Sequence, residues 1–207
     1  MDISCIVLAG GRGLRLGRNK VAVTVGNRSL LQWVISRLTF FNSDIIIVTA
    51  KKEPPTQDID YPKLRIVSDV YPGKGSLGGI YTGLVASDSF YNLVVACDTP
   101  FLNQALLRYM VQVSANFDLV VPRLGDKVEP LHAVYSKGCS APIEYLLKQD
   151  NLKIIELFNL VKVRYVEVEE IDRFDPNHLS FFNVNTEADL KTAMELSKRE
   201  DTIHDKC

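Results

Sequence analysis

"SCIVLAGGRGLRLGRNK", Ser4 to Lys20, sets an uncharged, largely apolar run directly before a loop of four glycines, three arginines and a lysine. A short run without polar alternation suits a strand covered by helices on both faces. A chain leaving such a strand at its carboxyl end turns at the edge where open α/β sheets bind ligands. Gly10, Gly11 and Gly13 let the backbone approach a ligand without Cβ clashes, so that consecutive N–H groups can gather around phosphate oxygens. Arg12, Arg15, Arg18 and Lys20 supply the charge that a triphosphate withdrawn from water requires. A glycine-rich surface turn with solvated arginines is the plainer reading of the same letters. Two familiar phosphate loops are excluded by spacing. Gly17 is separated from Lys20 by two residues where GxxxxGK[ST] needs them adjacent, and Val21 follows the lysine, while Gly11-Arg12-Gly13 meets its next glycine at Gly17, one position late for GxGxxG.

Working outward, strand-like and helix-like runs alternate: "SLLQWVISRLTF", "DIIIVTA", "LRIVS", "GGIYTGLVAS", "NLVVAC", "NQALLRYMVQVS" and "DLVVP". The strand runs are short, β-branched and apolar, which predicts a layered α/β fold around a mostly parallel sheet, a Rossmann-like three-layer sandwich in one domain. Ser29 is the expected N-cap of the first helix, after a Gly26-Asn27 turn. Further on, "EPLHAVYS" reads as a strand, "CSAPIEYLLKQ" and "KIIELFN" as short helices, and "VRYVEVEE" as a period-2 strand. "TEADLKTAMELSK" opens on Thr186 with Asp189 three residues later, a capping box. The expected domain spans residues 1–197, and residues 198–207, highly charged and without hydrophobic period, are expected to form a disordered tail.

The 207 residues carry 24 basic against 25 acidic side chains, so there is no global field for nucleic acid or an anionic membrane, and any anion site is local. No run approaches the roughly 20 apolar residues of a membrane span. The start lacks a signal-peptide pattern, and a cytoplasmic protein is expected. Cys5, Cys97, Cys139 and Cys207 are scattered without CxxC or zinc-finger spacing, which predicts reduced packing thiols and a frayed Cys207.

"NLVVACDTPFL" repeats the geometry of the first strand: a buried run, then Asp98 at its carboxyl end, then Thr99-Pro100 to stop it. A lone carboxylate at this edge suits Mg²⁺ bridging nucleotide phosphates, because Mg²⁺ takes one or two protein carboxylates and fills its other positions with water and phosphate. An Asp making a local turn or cap is the structural alternative. Asp69 ends another strand, before a connection rich in glycine; it can accept from a guanine N1–H and amine, or simply face water.

Taken together, "LAGGRGLRLGRNK", "SDVYPGKGSLGGI", "CDTPFL" and "FFNVNTEADL", in that order, resemble the nucleotidyltransferases of the molybdenum cofactor guanylyltransferase type. The resemblance spans Val7 to about Leu190. It implies transfer of GMP from Mg²⁺-bound GTP to the terminal phosphate of molybdopterin, giving molybdopterin guanine dinucleotide and pyrophosphate. It places Leu8, Ala9 and Gly10 against the nucleotide beside Gly11 and Gly13, Lys20 and Arg15 on its phosphates, Asp69 in the guanosine site, and Asp98 on both metal and GTP. A molybdenum insertase and molybdoenzyme chaperones are the implied protein partners. The chain departs from the family pattern at Lys51, which stands where an asparagine is common near the nucleotide, at Asn19, where an acidic residue is common, and at Ser76, where a proline is.

Several readings stay open. Asn183 and Asn185 either shape the pterin or metal side or tie down backbone before the last helix. His132 either faces the second substrate or is an ordinary half-buried histidine, and Glu129 suits a pterin's hydrogen-bonding edge. Cys97, on the opposite face from Asp98, is expected to be core filler. The rival functions are a cytidylyltransferase for the same cofactor, a transferase for a sugar phosphate or other phospho-alcohol, and a non-catalytic nucleotide sensor. Loss of one charge-assisted phosphate contact costs about 1.5–3 kcal/mol. Lys20→Ala is therefore expected to weaken GTP roughly tenfold or more and guanosine hardly at all, as read by titration calorimetry; equal losses would remove Lys20 from the phosphates.

Overall fold

The computed structural model describes residues 2–9, 23–50 and 59–204. Strand β1 (Ile3–Leu8) lies between β4 (Ile45–Thr49) and β6 (Tyr91–Ala96) and pairs with both in parallel. β5 (Leu64–Ser68) extends the sheet beyond β4. On the other side β9 (His132–Ser136) runs antiparallel beside β6, followed by β7 (Leu119–Leu124) and, parallel to it, β10 (Val163–Glu167). The strand order is β10-β7-β9-β6-β1-β4-β5, with the two-residue β8 (Lys127–Val128) paired to β7. A separate two-stranded hairpin, β2 (Thr24–Val25) and β3 (Arg28–Ser29), precedes the first helix.

The continuous apolar runs are explained by cover on both faces. Ile3, Cys5 and Val7 of β1 pack toward α1 (Leu30–Leu38) and α3 (Gln104–Gln112), while Ile6 packs toward α2 (Gly75–Ala86) and α4 (Ser140–Lys148). The short α5 (Ile154–Leu157) joins the second layer through buried Leu157, and α6 (Val168–Ile171) joins the first through Ile171. A third cluster ties the hairpin and α1 to the last helix, α7 (Glu187–His204), through Val25, Trp33, Phe101 and Ala193. The architecture is the expected three-layer α/β sandwich. Cys5, Cys97 and Cys139 are buried and in no disulfide, and burial pushes Cys5 and Cys139 up to about 12, as for packing residues; Cys207 lies outside the described residues.

Local signals set the element ends. The Ser29 hydroxyl accepts from Gln32 N–H, and the Gln32 side chain accepts from Ser29 N–H, a capping box for α1. The same reciprocal pair joins Thr186 and Asp189 at the start of α7. Three element bounds differ from the runs read in the sequence. "VRYVEVEE" is a strand only to Glu167; Glu167 and Glu170 then form a capping box that turns the chain into α6. β7 continues through Pro122 to Leu124, because its register with β9 ends at Val120 and a residue without an N–H breaks no bond of that ladder. α7 runs to His204, past the residue-197 boundary, through lysine, arginine and glutamate, which are good helix formers.

α2 lies unusually close to β1. A Cβ added at Gly83 would stand 2.4 Å from Ile6 Cγ2, so only glycine admits this approach. Lys137 Nζ donates to the carbonyls of Leu84 (2.7 Å) and Ser87 at the far end of α2, where the helix dipole favours a cation. Gly83→Ala is expected to lower stability by about 1–3 kcal/mol from overpacking, despite the higher intrinsic helix propensity of alanine. Urea unfolding checks this, and an unchanged midpoint would show that α2 can lift off the sheet at no cost.

Candidate active site

The carboxyl ends of β1, β4, β5 and β6 open into a cleft of about 760 Å³ whose lining includes Leu8, Thr49, Asp69, Gly75, Asp98 and Leu131. Each part is placed by backbone hydrogen bonds that continue the sheet. Ala9 N–H donates to Val48 O at 2.9 Å, extending β1 past its last strand residue. Cys97 N–H donates to Leu8 O at 3.2 Å, and Ala96 N–H to Leu131 O at 3.2 Å. Asp98 thus leaves a strand end held on both sides. Its own carbonyl accepts from Val184 N–H at 2.9 Å, and the buried Thr99 hydroxyl turns the chain by donating to Ala96 O at 2.9 Å. The local turn therefore belongs to Thr99, and the half-buried Asp98 side chain lines the cleft. Cys97 alternates into the core on the opposite face.

Asp69 is held differently. Its Oδ1 accepts from Tyr71 N–H and from the Thr82 hydroxyl, both at 2.9 Å, and Thr82 Oγ1 in turn accepts from Val70 N–H at 3.0 Å. This leaves Oδ2 without a hydrogen-bond partner among the described residues, on a carboxylate that lines the cleft. Thr82, buried in an apolar helix, was missed in the sequence; a lone threonine amid "GGIYTGLVA" is its only signal. After Asp69 the chain passes Gly73 and Gly75 at φ +86° and +63°, conformations that side chains with a Cβ rarely adopt, and enters α2. No side chain caps α2, and Gly75 and Ser76 of its first turn line the cleft, so the positive end of the helix dipole meets whatever binds there.

No described residue lining the cleft is basic; Lys74, at the start of α2, pairs with Asp150 at 2.6 Å. Gly10, Gly11, Gly13, Arg15, Lys20 and Lys51 lie outside the described residues. Of the expected site, the fold brings together Leu8, Asp69 and Asp98, with Ala9 continuing β1 beside them. Asn183 Nδ2 donates to Phe181 O at 3.0 Å, and Asn185 N–H donates to Asp189, so both take part in tying backbone. Glu129 pairs with Lys127 at 2.5 Å. His132 is buried rather than half-buried, and it is not among the residues that line this cleft.

Comparison with known proteins now bears on this edge. The sequence model of the MobA-like NTP transferase domain matches residues 5–163. This chain belongs to the MobA-like NTP transferase domain family. It is 37% identical over 197 residues, 95% of this chain and 94% of the relative, to a probable molybdenum cofactor guanylyltransferase of Pelotomaculum thermopropionicum. It is 33% identical over 195 residues, 92% and 94% of the two chains, to the molybdenum cofactor guanylyltransferase of Desulfosudis oleivorans. The crystal structure of molybdopterin-guanine dinucleotide biosynthesis protein A from Archaeoglobus fulgidus superposes with a TM-score of 0.82 at 30% identity, covering 95% and 99% of the two chains. The 2-C-methyl-D-erythritol 4-phosphate cytidylyltransferase of Thermus thermophilus shares the fold, with a TM-score of 0.69 at 17% identity over 96% and 100%.

Among the described residues no cluster of three or more His, Cys, Asp or Glu is arranged to hold a metal by itself. A single strand-end carboxylate is nonetheless the donor set expected of a divalent ion that completes its shell with phosphate and water. Asp98→Asn keeps the size and the backbone bonds while removing the charge. It is expected to leave the melting temperature within a few degrees and to lower turnover about 10²–10³-fold, as for loss of one key electrostatic group; ordinary turnover at ordinary metal concentration would exclude Asp98 from the chemistry.

Proposed function

We propose that this protein is a molybdenum cofactor guanylyltransferase, moving GMP from GTP onto the terminal phosphate of molybdopterin. The observation that carries the reading is the Asp98 carboxylate, clamped at a strand end in a cleft that the uncapped amino end of α2 also enters. The names of the relatives give the substrates. An oxygen of the acceptor phosphate forms a bond to the α-phosphorus of GTP while the bond from that phosphorus to the bridging oxygen of the β-phosphate breaks, and pyrophosphate leaves with the bonding electrons. No covalent enzyme intermediate is needed, since positioning and charge stabilisation supply the acceleration.

Mg²⁺, when bound, supplies positive charge across the phosphate oxygens; Asp98 would hold it. Asp69, with Oδ1 fixed in its turn, offers Oδ2 to the guanosine, and the first turn of α2 offers backbone N–H groups beside it. Leu8 and Ala9 lie against the nucleotide, with Gly10, Gly11 and Gly13 around its phosphates. Arg15 and Lys20 neutralise those phosphates, and Lys51 adds a contact near the nucleotide. Among the described residues no helix is long and apolar enough to cross a membrane. An insertase delivering the molybdenum-loaded acceptor and chaperones of the receiving enzymes are the partners such a product requires.

Titration of the protein with GTP, CTP, ATP and UTP, with and without Mg²⁺, tests the donor half. Selective, metal-strengthened GTP binding is expected. Preference for CTP would make it a cytidylyltransferase on the same fold, and GTP binding without transfer to molybdopterin would make it a sensor.

A further inference from the structure

His132 is the first residue of β9 and is 2% exposed, yet among the described residues neither ring nitrogen has a hydrogen-bond partner. Burial pushes its pKa down to about 3, so at neutral pH the ring is uncharged, with one N–H donor and one lone-pair acceptor. A buried group of this kind is a standing cost that leucine or phenylalanine would avoid. His132 borders neither the 760 Å³ cleft nor the cavity of about 600 Å³ beside α3.

Its location gives the cost a use. Because β9 runs antiparallel, its first residue stands at the carboxyl edge of the parallel strands, with His132 in register with Val95, three residues before Asp98. The ring is covered by Phe181, with centroids 4.8 Å apart. Phe181 ends a 3₁₀ turn that starts from His178 at φ +54°, and it is itself only half-buried. Three residues later Val184 N–H holds the carbonyl of Asp98. One half-buried aromatic ring therefore lies over a neutral, unpaired imidazole beside the strand end that carries Asp98.

Resting on the guanylyltransferase reading, we propose that His132 binds the acceptor: its N–H is held in reserve for the terminal phosphate of molybdopterin, and the described structure is the covered state, with Phe181 over the ring. A phosphate oxygen is the group that the reaction must bring to this edge, and it accepts the hydrogen bond that the fold leaves unmade.

The test compares wild type, His132→Leu and His132→Gln. His132→Leu, close in volume and without polar atoms, is expected to melt at or above the wild-type temperature, to bind Mg²⁺·GTP unchanged, and to raise KM for molybdopterin about tenfold or more. His132→Gln, which keeps a donor, is expected to recover part of that loss. In wild type, the His132 imidazole ¹⁵N signals are expected to move on addition of molybdopterin and not of GTP. A His132→Leu variant that melts several degrees lower would show that the nitrogens are already satisfied in the free protein. An unchanged KM for molybdopterin, or equal changes for both substrates, would overturn the assignment while leaving the enzyme a guanylyltransferase. Failure of the wild type to transfer GMP would overturn the functional reading, and this proposal with it.

Discussion

Everything at the candidate site hangs on the pairing of β1 with its two parallel neighbours. β1 is hydrogen-bonded to β4 and β6 and covered by a helical layer on each face, so it has no freedom to shift register without exposing a full row of apolar side chains. The last bonds of this pairing, Ala9 to Val48 and Cys97 to Leu8, lie at the carboxyl edge itself. They set where the glycine-rich loop departs and where Asp98 emerges. Gly83 belongs to the same constraint, since the close seat of α2 on Ile6 brings the amino end of α2 to the cleft beside Leu8.

Much of this was legible because it is local. Buried strands read as uninterrupted β-branched runs, Ser29 and Thr186 announced their helices through side chains three residues away, and a carboxylate directly after "LVVAC" could only sit at a strand end. What was not legible depends on contacts distant in sequence. Thr82 matters because it meets Asp69, and His132 because it meets Phe181. Nothing near either residue encodes that meeting. Where the sequence misled, a second local signal competed with the first: the alternation of "VRYVEVEE" continues past the point where Glu170 can cap a helix, and the cap prevails.

The backbone of the segment from Asp172 to Thr186 is braced by side chains, while the Phe181 ring stays half-buried. Asp175, buried, accepts from Leu179 and Ser180 N–H groups, and Ser180 Oγ accepts from Asn103 N–H at 2.8 Å. Asn103 caps α3 and also donates to Phe174 O at 2.7 Å. Below it Glu170 takes Arg164 in an ion pair and the Tyr109 hydroxyl, which hold its carboxyl down at about 2. These bonds carry Asn183 and Val184 to the far side of Asp98. The strand end that carries Asp98 is thus held from two directions, by the sheet bond of Cys97 N–H to Leu8 O and by Val184 N–H at the end of this braced connection.

The charge of the described cleft completes the argument. Its lining carries two carboxylates and no lysine or arginine, so these walls alone would repel a triphosphate, and the dipole of one helix end is too small to offset that. On the proposed reading, the positive charge for a nucleotide would come from a cation at Asp98 and from the basic residues of "GGRGLRLGRNK". Each alone leaves part of the phosphate charge uncompensated, which couples metal, loop and nucleotide into one binding event. A cleft of this kind keeps little affinity for phosphates that arrive without metal, and it lets pyrophosphate leave once the bond to the α-phosphorus is broken and the cation is shared with water again.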